Sequence, residues 1–490
     1  MLAAMHSNSG SSTAVVSAGS RSESPNELSA ALIEHLGPDA WALPAASGSW
    51  PSYEHVNVQT GVERWLEQFA DEHRLLGVVG FRHRMFGLVD LCQPGGEHGI
   101  GIGGVATVEM AAGPDELMHP CVLCGLYLAR IGTVRLALLL RGSDQRGPQP
   151  DVTVEIVATD PDAARAAVAE IRRLAIEHSV YRGQMVGFES SPLNMRGETL
   201  LAFRRRVEMA REDLVLPEGV LEGIEQHIHG VARHHDLLLA HGLHLKRGVL
   251  LYGAPGTGKT HTVRYLASLL PDTTIIVLSG AALRFLGAAC ALARDLQPAL
   301  LVIEDVDLVA EDRARTPGSA PLLFQLLNEM DGLHEDADVA FVLTTNRPEV
   351  LEPALASRPG RIDHAVELPL PDGAGRRRLM EIYRGSLDLD LADPDAVIRR
   401  TEGVTASFIK ELLRKAALVA ADSAEAGAPA ATGAATTATA TATTNRLHIT
   451  DTHMAAALDL LLDERNVLTR RLLGSGAVQV EADAPGGPLA

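Results

Sequence analysis

Cysteine is scarce in this chain of 490 residues: the four are Cys92, Cys121, Cys124 and Cys290. Usage that sparse argues against a disulfide framework and for a reducing compartment. Cys121 and Cys124 form a lone C-x-x-C. A metal site there would need two more ligands, which Cys92 and His119 would have to supply; buried apolar thiols in a strand-rich core are the simpler reading. Long apolar runs are missing too. The best, from Ile131 to Leu140, is broken by Arg135 and falls well short of the ~20 residues that span a membrane. The first residues show no charged segment followed by an apolar run, so no secretory signal is expected and the protein is placed in the cytoplasm, away from membranes. Positive charge is in deficit, with a formal net charge of −19 and no basic stripe, which makes nucleic acid an unexpected partner. The basic residues are nearly all arginine, and Ala, Gly and Leu abound. That bias points to a GC-rich coding sequence and a bacterial origin.

The length allows roughly two to four domains. Residues 1–52, rich in Ser, Gly and Ala at their start, are expected to be a largely disordered tail, with a short helix over Glu27 to Leu36. Residues 53–205 read as an α/β domain of unknown role. It has helical spacing from Val62, strand-like segments over Gly77–Leu91 and Val122–Leu140, and a strand–helix–strand unit over Val152–Val157, Pro161–His178 and Tyr181–Phe188. No catalytic constellation stands out in it. Residues 206–370 alternate strands and helices, and 371–466 are helical. An Ala/Thr-rich stretch at 421–445 is expected to be a flexible insertion, and 467–490 a disordered tail.

The strongest motif is G-A-P-G-T-G-K-T: Gly253, Ala254, Pro255, Gly256, Thr257, Gly258, Lys259 and Thr260, followed by His261. An apolar strand leads into it and a helical pattern leads out, the setting of a phosphate-binding P-loop. Its glycines let successive backbone N–H groups turn toward phosphates at the positive end of the following helix. Lys259 can then reach the β- and γ-phosphates of ATP, and the Thr260 hydroxyl can hold Mg²⁺. Farther on, an apolar strand ends in Glu304-Asp305, then Val306-Asp307. Carboxylates at the carboxyl end of a parallel strand sit where such sheets bind ligands; one would hold Mg²⁺ through water and the other would polarise the attacking water. A third strand, from Phe341, ends in Asn346, placed to reach the γ-phosphate or that water.

These stations, in this order, resemble the AAA branch of the AAA+ P-loop ATPases over residues 214–466. Leu326–Gly332 (L-L-N-E-M-D-G) resembles its inter-subunit signalling segment, with Leu333 in place of the usual Phe, and Thr345–Asp363 resembles its second region of homology. The resemblance implies a P-loop αβα sandwich with a small helical lid, preceded here by a separate α/β domain. It also implies ATP hydrolysis in an oligomeric ring, here a homohexamer, that remodels or unfolds protein clients. By position Lys259 and Thr260 match the Walker A residues, Glu304 the Mg²⁺-side acid, Asp305 the catalytic base and Asn346 sensor 1. Arg358 and Arg361 match the arginine fingers that reach a neighbour's ATP, and Phe285, Leu286 and Gly287 match the client-gripping pore loop. The chain departs from the family pattern in several places. The acid pair is reversed, so that the shorter Asp must hold its water about one methylene farther back. One extra residue separates Asn346 from the arginines, and the opening glycine signature survives only as V-L-E-G-I from Val220. The segment between pore loop and acid pair is short, Phe408 stands where the lid usually has an acid, and no sensor 2 arginine is evident. These departures keep a second reading in view, a nucleotide-controlled switch or scaffold with slow hydrolysis and no threading. The histidines between His227 and His244 are expected on a solvated helix face.

Overall fold

The computed structural model describes residues 27–93, 97, 99–143, 151–190, 199–307, 322–332, 334, 336–349, 351, 362–427 and 447–462. The chain divides into two compact units, one of residues 1–108 and 120–175, the other of 109–119 and 176–490.

The first unit is built on an antiparallel sheet. Its elements are α1 (Glu27–Leu36), β1 (Ala45–Trp50), α2 (His55–Phe69), β2 (Glu72–Val79), β3 (Gly101–Gly103), β4 (Ala106–Ala111), β5 (Met118–Ile131), β6 (Val134–Arg141), β7 (Val152–Ala158) and α3 (Pro161–Glu177), of which the stretches 109–111, 118–119 and 176–177 are counted with the second unit. The strand order is β1-β7-β6-β5-β2-β3, with β4 also pairing β5. Both faces are covered, and alternation along β6 shows how: Leu136, Leu138 and Leu140 join one apolar cluster with α2 and α3, while Ala137 and Leu139 join the other with α1. A strand with side chains buried on both faces loses the polar alternation of a one-sided sheet, which is why Ile131–Leu140 reads as one apolar run. On α1, Leu28, Leu32 and Leu36 recur every four residues and are buried, each contributing about 1.5–3 kcal/mol. The thiols of Cys92 and Cys124 lie in this same cluster. Burial pushes them up to about 11 and about 12, and among the described residues no three His, Cys, Asp or Glu side chains gather as metal ligands.

The expected start of folded chain near Tyr53 is corrected: α1 and β1 precede it, and β1 pairs β7 from Ala45↔Val157 to Trp50↔Val152. A-A-S-G-S-W carries no β-branched side chain, so this strand is made by its partner and not by propensity. Between Gly77 and Leu91 only β2 is strand, and Leu88–Leu91 forms a helical turn.

His55, 1% exposed, sits with Nε2 3.0 Å from the Val122 carbonyl. Burial holds its imidazole below the ordinary value near 6.5, against the raising effect of that hydrogen bond. The folded state therefore binds fewer protons than the unfolded chain once pH drops below about 6.5. Stability of this unit is expected to be level above that pH. It should decline by up to about 1.4 kcal/mol per unit as pH falls toward the depressed folded value. Chemical denaturation of wild type and His55→Gln between pH 7.5 and 5 checks this, since a decline of equal slope in both would remove His55 as the cause.

The second unit contains β8 (Met185–Ser190), β9 (Thr199–Phe203), α4 (Val220–Glu225), β10 (Arg247–Tyr252), α5 (Lys259–Leu269), β11 (Thr274–Leu278), α6 (Leu286–Asp295), β12 (Ala299–Ile303), α7 (Leu322–Asp331), β13 (Val339–Thr345) and β14 (His364–Glu367). Its sheet runs β14-β10-β13-β12-β11-β8-β9. The strands from β14 through β8 pair in parallel, and only β9 is antiparallel to its neighbour. Every residue of β11, β12 and β13 is buried, as expected where helices cover both faces of a parallel sheet. Beyond it come α8 (Gly373–Tyr383), β15 (Asp388–Asp390), α9 (Pro394–Arg400), α10 (Ala406–Gly427), β16 (His448–Thr450) and α11 (Asp451–Leu462). These helices share an apolar core with Phe408 at its centre, and the small parallel pair β15–β16 joins them.

Two expectations about extent change here. The boundary drawn at 205 falls too late, because β8 and β9, assigned to the first domain, extend the nucleotide-domain sheet beyond β11. Arg206 fastens the exit of this hairpin, donating to the carbonyls of Leu270, Pro271, Thr273 and Gly183 at 2.6–3.2 Å. In the lid, α10 continues to Gly427, so the first seven residues of the Ala/Thr stretch (421–427) are helical. Its remainder, together with residues 1–26 and the expected tail 467–490, lies outside the described residues.

Candidate nucleotide site

Three adjacent parallel strands bring the three stations together. β10 pairs β13 with Tyr252 opposite Thr345, and β13 pairs β12 with Leu343 opposite Ile303. The loop after β10, Asn346 after β13 and Glu304-Asp305 after β12 thus leave the sheet at its carboxyl edge. There the order of strands reverses direction between β10 and β13, the place where doubly wound sheets open a crevice for ligands.

The loop between β10 and α5 has the backbone its sequence requires. Gly256 and Gly258 take φ of +83° and +108°, a region that L side chains avoid. A Cβ on Gly256 would also stand 2.8 Å from Ser407 Oγ and 3.0 Å from Thr405 Oγ1, whereas one on Gly258 would meet nothing within 4 Å. One side of the loop is therefore closed by the start of α10, whose Ser407 N–H donates to the Gly256 carbonyl at 3.3 Å. The other side is open to a ligand. Thr257 Oγ1 closes the turn onto the Ala254 carbonyl at 2.9 Å.

Lys259 is 7% exposed, and its Nζ donates to the carbonyls of Gly253 and Ala254 at 2.8 and 2.9 Å. Burial lowers its ammonium below the ordinary range, while the nearby Asp305 and Asp307 carboxylates oppose that shift. The two acids that follow the neighbouring strand β12 thus offset part of the cost of burying this cation at the loop. Thr260, in the first turn of α5, is exposed, and Glu304 is partly buried at the end of β12. Burial and the neighbouring Arg264 and Lys410 push His261 down, toward the neutral imidazole.

Asp305 adopts φ +52°, the left-handed region in which a residue other than glycine stores about 1–3 kcal/mol of strain. Its conformation is held by a backbone N–H donated to Thr344 Oγ1 at 3.1 Å and by Asn346 Nδ2 donating to Oδ1 at 3.2 Å. Asp307, 7% exposed, accepts from Thr345 Oγ1 at 2.9 Å and from the Asn346 N–H at 3.4 Å. The structure thereby joins Lys259, Asp305 and Asn346, and adds Asp307, Thr344 and Thr345, to which sequence reasoning gave no role. A signal existed: an acid two residues after the pair, and two threonines directly before the asparagine. The oxygen donors of Thr260, Glu304 and Asp305 are of the hard type that Mg²⁺ accepts. The buried Lys259 and the open face at Gly258 are of the type that takes a phosphate.

Other candidates are placed as follows. Arg358 and Arg361, and Leu333, lie outside the described residues. Phe285 ends a 3₁₀ turn (Gly280–Phe285) and Leu286, buried, begins α6. His227 departs from a solvated face: it lies in the π-helical turn Gln226–Gly230, stacks on His364 at 5.5 Å between ring centroids, and is lowered by burial. Phe408 is fully buried in the lid core, so at that position packing replaces charge.

Comparison with known proteins agrees with this geometry. Residues 249–370 match the model of the ATPase family associated with various cellular activities (AAA). The chain is 30% identical over 325 residues to a proteasome-activating nucleotidase of Methanocaldococcus jannaschii, covering 62% of this chain and 71% of the relative. The chain belongs to the AAA family. This AAA ATPase is also 34% identical over 202 residues to the 26S proteasome regulatory subunit 10B of Dictyostelium discoideum, a match covering 38% of this chain and 50% of the relative. With the proteasome-activating nucleotidase of Thermococcus kodakarensis it shares 31% identity over 228 residues, covering 44% and 57%. Against these last two the chain thus spans 50% and 57% of the relative's length. The three relatives are archaeal and eukaryotic, so they give no support to the bacterial origin read from the arginine bias. Among the described residues no helix is long and apolar enough to cross a membrane.

Proposed function

We propose that this AAA ATPase works as a cytoplasmic homohexameric ring that hydrolyses Mg²⁺-ATP to unfold or remodel protein clients. The observation that carries the reading is the meeting of Lys259, Asp305 and Asn346 at one open glycine loop. A Mg²⁺ ion held here with the nucleotide would supply positive charge to offset the negative charge developing on the transferred phosphoryl group. Thr260 and Glu304 would hold that ion. Lys259 would turn from the loop carbonyls to the phosphates, and Asp305, kept in place by Asn346, would take a proton from the attacking water. Arg358 and Arg361 would act on the ATP of the next subunit, and Phe285, Leu286 and Gly287 would contact the client. The names of the relatives, a proteasome-activating nucleotidase and a proteasome regulatory subunit, favour a protein client over nucleic acid.

Sharing of the site between subunits gives the test. Lys259→Ala and Arg361→Ala are each expected to be nearly inactive alone, the second by a factor of about 10³ while still binding ATP. Mixed, they should regain hydrolysis, because an Arg361→Ala subunit keeps its own Lys259 and receives an arginine from its neighbour. Phosphate release from the mixture, with sedimentation to count subunits, decides. A mixture as inactive as its parts, or an active monomer carrying Arg361→Ala, would sink the shared-site reading.

A further inference from the structure

The added hairpin β8–β9 does more than lengthen the sheet. β8 pairs β11 in parallel, with Met185 opposite Ile275 and Gly187 opposite Val277. It is also tied at its base by Gly183 N–H donating to Thr274 Oγ1 at 3.0 Å and by Arg182 donating to the Gln297 carbonyl at 2.9 Å. This firm anchorage sets Phe188, 2% exposed, under the segment that follows β11. There the rings of Phe188 and Phe285 stack with centroids 5.7 Å apart and planes 29° from parallel. The guanidinium of Arg284 lies over the Phe285 ring at 4.6 Å, and Arg284 itself is exposed.

Phe285 therefore packs against Phe188 of the hairpin and carries the Arg284 guanidinium over its ring, while remaining partly exposed itself. On its other flank, Gly287 faces Gln325 and Glu329 of α7 at 3.6–3.7 Å from where its Cβ would be, and Glu329 is bonded to Arg294 at 3.2 Å. The segment thus packs against both the hairpin and α7, and beside its partly exposed ring stands the exposed, cationic Arg284. A guanidinium resting on an aromatic ring is kept flat and partly ordered, with its N–H donors directed outward. That arrangement suits carboxylates.

We propose that Phe188, Phe285 and Arg284 form one stacked unit in which Arg284 is the layer that meets the client, so that the preferred client is an extended polypeptide rich in acidic side chains. Phe188 is the positioning residue of this unit, contributed by a hairpin outside the stretch that matches the family model. The inference rests on the reading of residues 285–287 as the client-contacting segment.

ATPase stimulation of the full-length protein by two unfolded polypeptides of equal length, one glutamate-rich and one lysine-rich, tests it. Wild type is expected to respond to the acidic polymer at about five-fold lower concentration than to the basic one, with the gap narrowing as salt rises. Arg284→Gln should abolish that preference and Arg284→Lys should keep most of it. Phe188→Leu, which preserves apolar volume but removes the stacked ring, should shrink it. The readout is a ratio between clients, which a general loss of stability would not move. A preference unchanged in Arg284→Gln, or reversed in wild type, overturns the inference alone. No stimulation of wild type by either polymer instead removes the client-contacting reading, and the inference with it.

Discussion

Replacing Lys259 by alanine is expected to lower ATP turnover by at least about two orders of magnitude, the cost of losing one buried charged donor aimed at developing negative charge. The effect should be large because the charge is buried at the loop itself. Lys259 is buried, its Nζ is held by two loop carbonyls, and the other charged groups that act on it are Asp305 and Asp307. Without the ammonium those two carboxylates would face bound phosphates with one cation fewer between them, so nucleotide affinity should fall along with turnover. Binding of a fluorescent ATP analogue and phosphate release measure the two effects, and a melting temperature near that of wild type separates them from unfolding. Normal hydrolysis by this variant would remove the whole site assignment.

Asp305→Asn is expected to behave differently, losing turnover by about 10²–10⁴, the range for a general base, while still binding ATP. Asparagine tolerates the left-handed conformation that Asp305 adopts at φ +52° about as well as aspartate does, so the backbone should not shift. Its amide oxygen can still accept from Asn346 Nδ2, which now donates to Oδ1 at 3.2 Å. What disappears is the charge and the proton acceptor. The variant should therefore accumulate bound ATP and hold clients, whereas Lys259→Ala should do neither. Single-turnover hydrolysis alongside equilibrium binding distinguishes them; equal loss of binding in both would show that Asp305 serves phosphate affinity and not the chemical step.

The separation of these two variants reflects how the site is built. Lys259 belongs to a local motif, eight consecutive residues whose glycines alone specify the loop. Asp305 acts through a conformation that its sequence position does not reveal. Its φ and its bond to Asn346 arise only because β12 and β13 are neighbours, and residues 305 and 346 are far apart in the chain. The reversed order of Glu304 and Asp305 was visible at once. That Asp307 would be buried and committed to Thr345 and Asn346 was not, since an acid after an apolar strand is usually solvated.

The sequence by itself determined the glycine loop between β10 and α5, the succession of the three strand ends that meet there, the mixed helix-and-strand character of both units and the run of helices that follows β14. Glycine placement, apolar runs and helical spacing act over a few residues, and their physics is local. Only the tertiary structure decided that Ala45–Trp50 is a strand, that the hairpin at 185–203 belongs to the nucleotide-binding sheet, that His227 leaves its solvated face to stack on His364, and that Phe285 stacks on Phe188 beneath the Arg284 guanidinium. Each of these depends on which segments distant in the chain become neighbours. A strand edge accepts a partner through backbone groups that every residue shares, and an aromatic ring can stack on any ring brought within reach, so neither choice is written in the residues that make it.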